Sequence, residues 1–297
     1  MKIIYILFFS VLLTLSYCLG ATQFSQPACS GIENSDKFLV SEGVSCDTIQ
    51  DFNNLYYSLT KISTLPEKTP RIFINKNSYS GWTTFGNLMY LDEDQLLFGK
   101  KRTLQMRQMI WLHELGHLVF QELLKKDFTE INQVVEYMKK DADLKWKNKN
   151  PDLNTDKELS KFWCANCGAA RDIQKPYAEL FADFISALAT SDPATPFEAY
   201  HTNEMNKTDL QRFKLASFGE QSNLDSCSDT DEHFYFSSVR YRIGQKFIIQ
   251  AKTFPQKKKA VLDFYEILQK DLIRYWQKDK KLPSCKLANQ NLLEVLK

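Results

Sequence analysis

The 297-residue chain reads as an α+β protein: a small N-terminal β-sheet, a long helix carrying HELGH at residues 113–117, and a mainly helical C-terminal lobe. Three observations predict this. Residues 71–75 (RIFIN) and 85–91 (FGNLMYL) are short β-branched or aromatic runs separated by turn-forming Asn, Ser and Gly. From Leu104 onward apolar residues recur at helical spacing, through Ile110, Trp111, Leu115, Leu118 and Val119. After Pro176 the chain is dominated by the same 3.6-residue periodicity.

The first twenty residues, MKIIYILFFSVLLTLSYCLG, hold one Lys, an apolar core of about fifteen residues and small residues before Ala21. This predicts a signal peptide over 1–20, cleaved near Gly20–Ala21, and a secreted or periplasmic protein without a membrane span. An uncleaved anchor is the alternative. Cys18 invites a lipoprotein reading, but Tyr17 is bulky where such a signal wants a small residue. Cleavage leaves 277 residues with 37 Lys and Arg against 36 acids, a near-neutral chain with no electrostatic case for nucleic acid. That length suits one domain of two lobes or two modest domains.

In the helix that follows the strands, Thr103 is placed to cap the start, and Gly116 is the only Gly or Pro in its first twenty residues. His113 and His117, one turn apart, can offer both imidazoles to a single ion. Glu114, about 100° round, can reach a water bound to that ion, as a general base must. Four histidines would produce this pattern by coincidence in about 0.002 of such chains. A catalytic zinc usually takes three protein ligands. The variant with a third His in H-x-x-G-x-x-H is excluded, because Phe120 and Leu123 occupy those two positions.

The better candidate lies in KPYAELFADFISALATSDP. Pro176 fits a first helical turn and Ser191-Asp192-Pro193 a stop. Phe181, Ala182, Phe184, Ile185, Leu188 and Ala189 cover most of the helix, leaving Glu179, Asp183 and Ser186 in one polar strip. Carboxylates in so apolar a helix need a partner.

His113-Glu114-x-x-His117 followed by Glu179-x-x-x-Asp183 resembles the gluzincin branch of the zinc metallopeptidases over about residues 70 to 190. The resemblance implies a zincin-like fold, with Zn²⁺ held by His113, His117 and Glu179, Glu114 as general base, and Asp183 orienting a ligating histidine. Glu179 lies 62 positions after His117, farther than in thermolysin-like members and nearer to the spacing of prenyl-peptidase and heat-shock-type members, whose multiple spans this chain lacks. It further implies a catalytic region over 21–190, a helical lobe over 191–297, and a peptide or protein substrate. Gly86 to Tyr90 takes the place in the chain of the sheet edge strand that pairs with extended substrate in zincins; an ordinary internal strand is the alternative. The second lobe must supply an oxyanion stabiliser, and DEHFYFSSVRYRIGQKF offers His233, Tyr235, Arg240 and Tyr241, of which we take His233. His201 is assigned no role. The competing reading is a secreted zinc-containing binding protein without turnover, which would have no need of Glu114.

Six cysteines remain after cleavage, Cys29, Cys46, Cys164, Cys167, Cys227 and Cys285, and an even count in an exported chain predicts disulfides. FWCANC also resembles a thioredoxin-type redox site. Such a site wants a strand before it and a helix opening at its first Cys, whereas a polar, charged stretch precedes this one, so we expect structural disulfides throughout. KKAVLDFYEILQKDLIRYWQKDK predicts a packed helix with Val261, Leu262, Tyr265, Leu268, Leu272 and Trp276 on one face.

Overall fold

The computed structural model describes residues 22–63, 70–76, 82–84, 88–93, 103–195, 214–215 and 217–297. The expected signal peptide, Cys18, Phe85, Gly86, Asn87 and His201 lie outside them. β1 (Phe38–Val40), α1 (Cys46–Thr60) and β2 (Arg71–Asn75) form a parallel crossover, and β4 (Leu88–Asp92) runs parallel to β2 on its other side. β3 (Trp82–Thr84) pairs antiparallel with β4 and closes the order β1-β2-β4-β3.

Phe38, Val40, Ile72, Ile74, Met89 and Leu91 pack with Ile49 and Phe52 of α1. Leu39, Phe73 and Leu88 face the other way, onto Phe24 and Ala142. Burial of both faces explains why these strands read as almost unbroken apolar runs.

The edge-strand expectation is corrected: β4, with Leu88 to Tyr90, is bonded on both sides, so its backbone is spent within the sheet. Among the described residues the edge strands are β1 and β3, and of these β3 approaches the HELGH helix. Three residues are too few to show a period, so nothing in the sequence marked it.

Glu93, just past β4, joins the sheet to α1. One carboxylate oxygen accepts the Ser45 N–H at 2.9 Å and both the Ser45 and Thr48 hydroxyls, and the other pairs with Lys76. Burial alone would raise its pKa; the Lys76 hydrogen bond, then those of Thr48 and Ser45, outweigh it and hold the group at about 2.

α2 (Leu104–Leu124) carries HELGH and starts where Thr103 caps it, accepting the Met106 N–H at 3.2 Å. α3 (Thr129–Lys147) supplies Ala142 beneath the sheet. One helical turn, α4 (Asp156–Leu159), and a 3₁₀ turn over Ser160–Phe162 lead into α5 (Cys167–Thr190). The expected start of α5 at Pro176 is therefore wrong. Pro176 lies inside the helix and forgoes one backbone hydrogen bond, a cost of about 3 kcal/mol. Full burial of Tyr177, Leu180, Phe181, Phe184, Ile185 and Leu188, each worth about 1.5–3 kcal/mol, offsets it. The stop is as expected, with Ser191 in the left-handed region at φ 60°.

α6 (Ser237–Ile243) runs into a π-turn over Gly244–Ile248. α7 (Phe254–Asp279) opens on a Thr253–Gln256 capping box, and α8 (Cys285–Leu296) ends the chain. α7 buries Val261, Tyr265, Leu268, Leu272 and Trp276, but Leu262, about 40° round the helix beyond the last of them, is 45% exposed. One cluster of buried apolar side chains extends from Phe38 to Leu296. Disulfides join Cys29 to Cys46, Cys164 to Cys167 and Cys227 to Cys285. No helix among the described residues is long and apolar enough to cross a membrane.

Candidate metal centre

The site forms where α2 crosses α5, and Gly116 sets how closely they approach. A Cβ at Gly116 would stand 2.6 Å from the Ala182 Cα, so only glycine permits this separation. The Ser186 hydroxyl donates to the Met109 carbonyl at 2.9 Å and ties the helices one turn away. Across the crossing, the strip of α5 that carries Glu179 and Asp183 faces the strip of α2 that carries His113 and His117.

The His113 and His117 Nε2 atoms are 3.1 Å apart. Glu179 Oε2 stands 3.3 Å from the first and Glu179 Oε1 3.5 Å from the second. Two ligands each about 2.05 Å from a tetrahedral ion stand about 3.3 Å apart, so the trio fits a zinc-sized cation. Glu179 Oε2 is buried and accepts no well-formed hydrogen bond, although ring nitrogens of His113 and His233 stand close by. An acceptor left so would gain most from an ion. Two imidazoles and a carboxylate are the donor set of hydrolytic zinc sites.

Electrostatics favour ligand-competent protonation states. Burial holds His117 below the ordinary histidine pKa, against the pull of Glu179. Burial would raise Glu179, but His117 foremost, with His113 and His233, holds it well below the carboxylate range. Asp183, buried, is likewise kept low, chiefly by Arg240 and then by His113. An ionised carboxylate can only accept. The His113 Nδ1, 2.7 Å from Asp183 Oδ1, must therefore carry the proton, which leaves the Nε2 lone pair aimed at Glu179 and His117.

Two of the four oxyanion candidates, His233 and Arg240, reach the site. His233 Nδ1 is 3.0 Å from Glu179 Oε2, and its side chain keeps half its surface exposed, so it borders the cleft. Burial would lower its pKa, but the Glu179 carboxylate beside it raises it. Arg240 is fully buried, with Nη1 2.7 Å from Asp183 Oδ2 and Nη2 donating to the His233 carbonyl at 2.9 Å. So placed, Arg240 cannot meet a substrate oxyanion as the sequence allowed; it holds Asp183 and His233 in place. Tyr235 turns away and donates to the Pro283 carbonyl at 2.7 Å. Tyr241 is half-buried on α6. Glu114 is buried beside His113 on α2. Reading the sequence missed the role of Arg240, for which the one available signal was that a buried Asp183 needs a charged partner.

Compared with known proteins, the chain matches no family model, no curated sequence and no solved structure.

Proposed function

We propose that this chain is an exported zinc-dependent peptidase of zincin-like fold, its region 21–190 carrying the catalytic helices and its lobe 191–297 completing the site. The observation that carries the reading is the His113–His117–Glu179 trio at tetrahedral spacing, with Asp183 holding the His113 ring in the ligating tautomer. Bound there, zinc would acidify a coordinated water towards neutral pH and polarise a substrate carbonyl.

The rest falls to side chains. Glu114 takes a proton from the attacking water and passes it to the departing amine. His233, whose pKa its contact with Glu179 raises, donates to the oxygen of the carbonyl as negative charge gathers on it. Asp183 and Arg240 keep His113 and the His233 loop from turning. β3, at the sheet edge beside α2, is the strand available to pair with an extended peptide. Six cysteines paired in three disulfides suit an oxidising, extracellular or periplasmic setting.

Metal analysis and a peptide-library digest test the reading. The parent should carry one equivalent of zinc and lose hydrolysis to a chelator, while Glu114→Gln should keep the zinc and lose hydrolysis. Zinc without turnover in the parent would favour the binding protein instead, and hydrolysis that survives both chelation and Glu114→Gln would refute the mechanism.

A further inference from the structure

The three disulfides differ in what surrounds them. Each has one sulfur on the first residue of a helix: Cys46 on α1, Cys167 on α5 and Cys285 on α8. Two of those helix starts already hold a carboxylate. The Ser45 N–H at the head of α1 donates to Glu93, with Asp47 in the same first turn, and the Cys285 N–H donates to Asp229. The start of α5 has no acid in its first turn and no side-chain cap. Arg171 lies one turn beyond Cys167, its guanidinium over the Trp163 ring at 5.6 Å. A negative charge on the Cys167 sulfur would thus meet the positive end of a 24-residue helix with no acid in its first turn, and a cation one turn on.

The pair also differs in what it holds together. It spans three positions, against 17 and 58 for the others, so closing it restricts the unfolded chain least. The turn has its own support: the Cys167 N–H donates to the Cys164 carbonyl at 3.1 Å, and Trp163 packs edge-on against Tyr137 at 4.8 Å. The two sulfurs would stay close with the bond open. Cys167 is fully buried and its sulfur accepts the Cys164 N–H at 3.2 Å, while Cys164 is half-exposed beside exposed Ala165 and Phe162. A groove of about 560 Å³ lined in part by Tyr137, Trp163, Gly168 and Arg171, with Asp141 and Asp156 also on its wall, runs beside the turn.

We propose that Cys164–Cys167 is a thiol–disulfide exchange site that accepts two electrons from a dithiol. One thiolate of the dithiol attacks the accessible Cys164 Sγ; the new S–S bond forms as the Cys164–Cys167 bond breaks, and Cys167 leaves as the thiolate that α5 and Arg171 stabilise. The second thiolate of the dithiol then attacks its own sulfur in the mixed disulfide, closing a ring, and Cys164 leaves and takes up a proton. The dithiol is oxidised and the pair is reduced.

The test uses the full chain. Graded dithiothreitol followed by alkylation and peptide mass spectrometry should find Cys164 and Cys167 both modified while circular dichroism is unchanged, and removal of the reductant should restore the bond. With glutathione disulfide as probe, Cys167→Ser should form a mixed disulfide at Cys164 at least about tenfold faster than Cys164→Ser forms one at Cys167, as the difference in access requires. A Cys164–Cys167 bond that opens only where the fold is lost, or a Cys167 that reacts as fast as Cys164, would overturn the proposal.

Discussion

Replacing Gly116 by Ala adds one methyl group where α2 and α5 cross. Its carbon would stand 2.6 Å from the Ala182 Cα and 3.0 Å from the Ala182 carbonyl oxygen. Carbon atoms pack at about 3.5–4.0 Å, so the helices must part by about 1 Å. Overpacking of this kind costs about 1–3 kcal/mol. Alanine recovers about 1 kcal/mol of helix propensity, so the net loss should be about 0–2 kcal/mol and the protein should fold. The site is less tolerant. A 1 Å shift would carry Glu179 from 3.3 and 3.5 Å to beyond 4 Å from the histidine nitrogens, whereas zinc–ligand distances tolerate about 0.2 Å. Zinc affinity should fall by at least about tenfold, the scale on which even outer-shell changes act. Competition with a zinc-binding dye would measure the affinity and thermal melting the stability. Gly168→Ala is the control: Gly168 also lies in a helix, but nothing stands within 4 Å of its added carbon, so stability should hold or rise and zinc affinity stay at the parental value. Parental zinc affinity in Gly116→Ala, with a raised melting temperature, would refute the argument that this crossing sets the ligand geometry.

Two further outcomes follow from buried carboxylates. Asp183→Asn keeps the shape of the side chain but removes the charge that faces both His113 and fully buried Arg240, so it should lower zinc affinity about 10- to 100-fold and also destabilise the protein by about 3–5 kcal/mol; unchanged urea unfolding would show that Arg240 does not depend on this carboxylate. Glu93 has a folded pKa of about 2 against an ordinary 4.5, so its stabilising contribution is complete above pH 4.5 and is lost as the pH falls towards 2, about 3 kcal/mol in all. Urea unfolding of the parent and Glu93→Gln between pH 5.5 and 2.5 should show a steeper acid loss in the parent, and parallel pH dependences would remove Glu93 from the account of acid stability.

What the sequence determined by itself was whatever repeats within one element. HELGH lies on a helix because apolar residues at 3.6-residue spacing run on both sides of it, and the i, i+4 geometry follows from that helix alone. Glu179 and Asp183 share a strip for the same reason, and β2 begins and ends where its β-branched run does. The local code failed where a feature was short or where a distant partner overrode it. β3 has three residues and no period, and Pro176, a start signal by propensity, is carried inside α5 because burial of its neighbours outweighs the lost hydrogen bond. Tertiary structure alone decided which strands lie at the edges, that Arg240 answers Asp183 across 57 positions, and that His233 rather than Tyr235 borders the cleft. Those choices depend on which surfaces fill one another's gaps when separate elements pack. Periodicity along a single helix or strand holds no record of that.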